Sequence, residues 1–110
     1  MSDRERRIGL NEALFREVNE KLRAVNEAFA PITDTFDVVC ECGHTTCEER
    51  LSIPPETYEE VRADPVLFII VPGHEIPDVE DVVLEVESHS VVRKRPGDPA
   101  LVAEATDPRS

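Results

Sequence analysis

Cations are scarce in this chain: 12 Lys and Arg stand against 24 Asp and Glu, a formal net charge of −12. A field of that sign repels phosphates and anionic headgroups, so neither nucleic acid nor a membrane surface is an expected partner. The basic clusters Arg4-Glu5-Arg6-Arg7 and Arg93-Lys94-Arg95 are outweighed by acid elsewhere. A basic protein surface or a cation fits better. No apolar run is long enough to span a bilayer and no apolar signal-type stretch opens the chain, so a cytoplasmic location is expected, where thiols stay reduced. Absent too are a Ser-His-Asp order, a glycine-rich phosphate loop and an H-E-x-x-H pattern, which leaves the commonest enzyme classes without support. Neither repeats nor a second domain are visible. With 110 residues, 40% hydrophobic and 33% charged, the chain reads as one small domain with tails.

Cysteine is also rare, and all 3 lie in Cys40-Glu41-Cys42-Gly43-His44-Thr45-Thr46-Cys47. Zinc takes four thiolate or imidazole ligands in a tetrahedron, and structural sites draw all four from protein. Three cysteines therefore need one histidine. On an extended segment Cys40 and Cys42 point the same way, and Gly43 supplies the positive φ expected where the chain turns to bring Cys47 back. His74, in Pro72-Gly73-His74-Glu75, is the preferred fourth ligand because a distant residue ties two segments together; His44 stays open as its replacement. His89, between Ser88 and Ser90, reads as a solvated hairpin tip rather than a ligand. Reduced, partly buried thiols and a disulfide remain alternatives. The polar company of these cysteines argues against the first, and the odd thiol left over against the second.

The chain reads as α+β: a long N-terminal amphipathic helix, then a small, mostly antiparallel sheet with one short helix, stapled by metal. Residues 1–7 are expected to be a flexible N-terminus, 8–30 the amphipathic helix, 31–95 the stapled domain and 96–110 a disordered tail. Helical pattern extends from Arg4 to about Ala30. Ile8, Phe15, Val18, Leu22, Val25 and Phe29 fall at coiled-coil spacing, with Asn11 in the one missing position, and Pro31 ends the run. Such a helix spans roughly 40 Å, longer than so small a domain is wide, so half its stripe is expected to pack on the chain's own sheet or the rest to pair with another copy or a different protein. Phe36–Cys40 and Glu48–Ile53 read as strands flanking the cysteine turn, and Pro54–Arg62 as a short helix stopped at Asp64-Pro65. Val66–Val71 is the most apolar run and the candidate central strand, ending directly at His74. Asp78–Asp81 begins a turn or short helix, and Val82–Glu87 with Val91–Arg95 a closing hairpin.

Size gives the metal its importance. Without helix and tails about 60 residues remain, marginal without a staple. A structural zinc contributes on the order of 10 kcal/mol near neutral pH.

The run Phe36, Cys40-Glu41-Cys42, Cys47, then Tyr58-Glu59-x-Val61-Arg62-Ala63-x-Pro65 and Pro72-Gly73-His74-Glu75 resembles a group of short, largely uncharacterised bacterial proteins of the high-G+C type. Asn11-Glu12-x-x-Phe15-Arg16-Glu17-Val18-Asn19-Glu20 looks like theirs too. The resemblance covers roughly Arg7 to Lys94 and implies a shared Cys3His ion site, with no activity attached. CDGSH iron–sulfur proteins also use three cysteines and one histidine, but here Glu-Glu-Arg-Leu follows the third cysteine in place of Asp-Gly-Ser-His.

The residues favour a non-enzymatic zinc-binding interaction or regulatory module with an acidic surface, because four protein ligands leave no open position on the ion. A zinc-thiolate redox sensor is the alternative. An iron–sulfur protein, or a small metalloenzyme with Glu75 as general base, stands behind it.

Overall fold

A computed structural model describes residues 2–28, 34–44 and 46–109, and its fold is α+β. Helix α1 (Asp3–Ala28) leads into the hairpin β1 (Phe36–Val39) and β2 (Arg50–Ile53). Helix α2 (Pro55–Arg62), strands β3 (Leu67–Ile70), β4 (Glu80–Glu85) and β5 (Ser90–Lys94), and helix α3 (Asp98–Ala105) follow. Both sheets are antiparallel: β1 pairs β2, and the second runs β3-β5-β4. Among the described residues no helix is long and apolar enough to cross a membrane.

The helix starts earlier than the expected boundary at residue 8. Ser2 accepts a hydrogen bond at Oγ from the Glu5 amide, 3.1 Å, so a side-chain cap closes the first turn and orders Asp3 onward. At ~1.5 Å per residue α1 reaches ~39 Å, which accounts for most of the molecule's 44 Å long dimension. The stripe residue Phe29 and the stop at Pro31 lie outside the described residues.

Helix α1 does not bury the face its apolar spacing suggests. Beside Ile8 the covered residues are Glu12, Arg16, Asn19 and Asn26, while Val18 and Val25 face outward. Two of these polar side chains, Asn19 and Arg16, bond backbone, whereas Glu12 accepts from Lys94 and Asn26 from Arg23. Asn19 bonds both the carbonyl and the amide of Val39, at 2.9 and 2.8 Å, and so takes the place of a neighbouring strand beside β1. Arg16 donates to the carbonyls of Pro65 and Ala103 and lies 4.7 Å over the Phe68 ring.

Strand β3 is apolar throughout because both its faces are covered. Ile69 joins Phe36, Val38, Leu51, Ile53, Tyr58, Val61 and Val91 in one core cluster. Phe68 and Ile70 join Cys40, Cys42, Val92 and Ala103 in the other. The expectation of a central strand is corrected: β5 is the middle strand, and β3 has an outer edge. That edge is met by Glu41, whose amide donates to the Ile69 carbonyl at 2.8 Å and whose carboxylate accepts from the Ile69 amide at 3.0 Å. Glu41 thereby joins the two sheets.

Two further expectations fail. Instead of a loose tail from residue 96, Asp98–Ala105 forms α3, entered through Gly97 at φ 100° and held at its end by Arg16, which bonds Ala103 and Thr106. His89 is buried, with Nδ1 against the Ser88 hydroxyl at 2.9 Å and its pKa lowered by burial. The hairpin that holds it does form, with Leu84 opposite Val91 and a register shift at Val83.

Candidate metal centre

One ligand atom from each of Cys40, Cys42, Cys47 and His74 lies within 4.8 Å of every other, so these four residues can hold a metal ion. Hairpin register and one turn bring them together. Pairing of β1 with β2 stops at Val39 opposite Arg50, so the three cysteines lie beyond the end of the paired strands. The Cys40 amide still donates to Glu49, and the Cys47 amide closes back on His44 at 3.1 Å. His74 arrives from β3 through Val71-Pro72-Gly73-His74, whose closing hydrogen bond from the His74 amide to the Val71 carbonyl is 3.0 Å. Proline fixes φ at the first central position, and Gly73 at φ 93° supplies the left-handed second one.

Gly43 has a different role from the one expected. It is not among the residues of positive φ; instead a Cβ there would sit 2.5 Å from a methyl of Ile8. The loop needs glycine because α1 presses against it. Asn11 reinforces that contact by donating to the Gly43 carbonyl at 3.3 Å.

Imidazole Nδ1 of His74 faces Cys40 and Cys47, each sulfur at 3.6 Å. Sulfur ligands ~2.3 Å from a zinc stand ~3.8 Å from one another in a tetrahedron, so the donor set fits after a contraction of ~1 Å at its widest. On the far side Nε2 lies 3.1 Å from a Glu49 carboxylate oxygen. That partner keeps the proton on Nε2 and leaves Nδ1 free to ligate, the carboxylate–histidine arrangement of many zinc sites. Sequence reasoning missed Glu49, since only the hairpin return places it opposite a histidine 25 positions away; the one signal was an acid two residues beyond the last cysteine.

The sulfurs receive amide hydrogen bonds. Val71 donates to Cys40 at 3.2 Å, and the amides of His44 and Glu49 stabilise charge on Cys42 and Cys47. Metal-free, the thiols share protons unevenly. The Cys40 thiol donates to Cys42, which holds Cys42 down at about 5 and drives Cys40 well above the thiol range; burial raises Cys47. One thiolate therefore stands ready, and an ion would displace the remaining protons.

His44 is not in this group: it is exposed, and its ring meets that of His74 edge-on with centroids 6.2 Å apart. Glu75 also stays out, lining a groove of about 470 Å³ with Arg4, Arg7, Asn11 and His44. No protein-family model, curated protein or solved structure matches this chain.

Proposed function

We propose that this protein is a non-enzymatic zinc-binding module of the cytoplasm, acidic on its surface, that acts by holding a protein partner or a second copy against its N-terminal helix. We also propose kinship with the short high-G+C bacterial proteins whose Cys-x-Cys, Cys and Pro-Gly-His-Glu pattern it resembles. The observation that carries it is the convergence of four donors. Three sulfurs and one imidazole saturate a tetrahedral zinc and leave no position for water or substrate, so the ion's work is structural. Thiolates and imidazole favour zinc over magnesium or calcium, which take oxygen ligands.

The test is elemental analysis of protein purified without chelator, followed by thermal unfolding before and after chelation. The expected result is one zinc per chain and loss of the cooperative melt when it is removed, with the same loss in Cys40→Ser, Cys42→Ser, Cys47→Ser and His74→Ala. Protein that is metal-free yet fully folded overturns the reading. A brown colour with a visible absorption band would indicate an iron–sulfur cluster instead.

The half-buried position of Cys47 favours a second reading as a redox sensor. Peroxide takes two electrons from a pair of thiolates, forming a disulfide, leaving as water after taking up two protons, and releasing the ion. Zinc retention at modest peroxide excludes it.

A further inference from the structure

Helix α1 carries a second stripe that its own fold leaves uncovered. Leu10 (50% exposed), Leu14 (56%), Val18 (36%) and Val25 (60%) share one side. At ~100° per residue that side is centred ~150° from the buried Glu12, Arg16, Asn19 and Asn26. The helix is thus inverted, with apolar residues in water and polar ones inside. Beside Leu10 and Leu14 lies a groove of about 330 Å³, lined also by Ala13, Glu17 and Thr106.

We propose that this stripe is covered by the same stripe of a second copy, the two α1 helices antiparallel about a two-fold axis. The inference rests on the interaction role proposed above and specifies its partner. Charge decides both the partner and the orientation. On a molecule of net charge −12, the exposed charges of α1 are near balance: Arg4, Arg6, Arg7 and Lys21 against Asp3, Glu17 and Glu27. A copy is repelled least here.

A parallel pair would set Arg6 and Arg7, Glu17 and Lys21 each against its own kind. An antiparallel pair with Leu10 facing the partner's Val25 sets Leu14 against the partner's Lys21 stem and brings Glu17, on the same flank of the stripe, within a turn of the partner's Lys21. The partner's Val25 then meets the groove beside Leu10 and Leu14. The free edge of β4, where Val82, Val83 and Leu84 are exposed, suits a copy less well. Self-pairing there about Val83 opposes Asp81 to Glu85 twice. From Leu10 to Val25 the contact covers ~22 Å of helix, which makes a micromolar rather than a nanomolar pair.

Sedimentation equilibrium of the full zinc-loaded chain, from ~1 to ~500 μM, tests this. A reversible dimer is expected. Leu10→Glu/Leu14→Glu should raise its Kd by ~100-fold or more without altering the melt, since each change counts twice in the two-fold pair. Lys21→Glu should weaken the dimer ~5-fold, and Glu17→Lys added to it should restore affinity. A folded monomer at the highest concentration overturns the inference, as does a dimer untouched by the leucine changes or abolished by Val82→Lys/Leu84→Lys. Zinc content measured on the same samples separates the two readings. A zinc-loaded monomer removes the dimer and leaves the metal staple, whereas a folded, metal-free dimer does the reverse.

Discussion

Glu41 is wedged between two candidate ligands and is itself fully buried. Its carboxylate takes both guanidinium nitrogens of Arg62 at 2.8 and 2.9 Å, the Asn19 amide at 2.7 Å and the Ile69 backbone amide at 3.0 Å. With every lone-pair direction used, this pair avoids the uncompensated desolvation that makes many buried salt bridges unfavourable. Breaking it from one side leaves a bare carboxylate between Cys40 and Cys42. Arg62→Met should therefore cost ~3–5 kcal/mol in urea unfolding of the zinc-loaded protein and weaken zinc binding as well. A loss below ~1 kcal/mol would show that Glu41 is held by its other donors alone. Glu49 offers a contrast, because its side chain is largely exposed and touches the site only through His74 Nε2. Glu49→Ala is expected to leave the fold intact and to lower zinc affinity ~10–100-fold by freeing the imidazole orientation. Competition with a chromophoric chelator measures this directly, and unchanged affinity would remove Glu49 from the site.

Helix α1 shows where sequence reasoning worked and where it could not. The four candidate ligands were legible because thiolate spacing depends on neighbours along the chain, whereas the left-handed glycine expected at Gly43 stands at Gly73, in the turn that delivers His74. Which face of α1 packs on the sheets was not legible, because apolar periodicity treats polar side chains as solvent-facing. Here Glu12, Arg16, Asn19, Arg23 and Asn26 recur at the same three-and-four spacing, one step round the helix, and all but Arg23 are buried. Nothing in Asn19 announces that it will bond strand β1, since its partners lie across a tertiary contact. The same blindness hid α3, whose weakly amphipathic Asp-Pro-Ala-Leu-Val-Ala-Glu-Ala needs Arg16 to occupy its terminal carbonyl. A lysine cannot repeat that fork, which reaches Pro65, Ala103 and Thr106 together. Arg16→Lys should consequently raise amide hydrogen exchange across residues 98–105 ahead of the rest of the molecule. Exchange that rises uniformly would place the effect on global stability instead.

The molecule as a whole carries twice as many acids as cations, and part of that imbalance is interior. Lys94, from the middle strand, donates to both Glu12 of α1 and Glu80 of β4, and all three are buried. One lysine cannot neutralise two carboxylates. The second oxygen of Glu12 has no hydrogen-bond partner, whereas Glu80 also accepts from the Ile76 amide. The spare proton therefore belongs on Glu12, whose pKa is raised well above the carboxylate range, chiefly by burial and further by Glu80, against the pull of Lys94. The folded protein thus holds a proton that the unfolded chain gives up in mild acid, and stability from this source is lost as pH rises through the folded-state value. Self-repulsion of the surface acids adds a loss in the same direction. Zinc binding works oppositely, because its ligands must shed protons to coordinate. The two trends separate in zinc-saturated protein held on the neutral-to-alkaline side, where the metal site stays loaded. There the wild type should lose stability steadily with pH in urea titrations. Glu12→Gln, with a neutral amide facing Lys94 and a one-to-one Lys94–Glu80 pair behind it, should lose distinctly less. Parallel curves for the two proteins would show that Glu12 is ionised inside the fold, with its charge balanced by Lys94 despite the competing claim of Glu80.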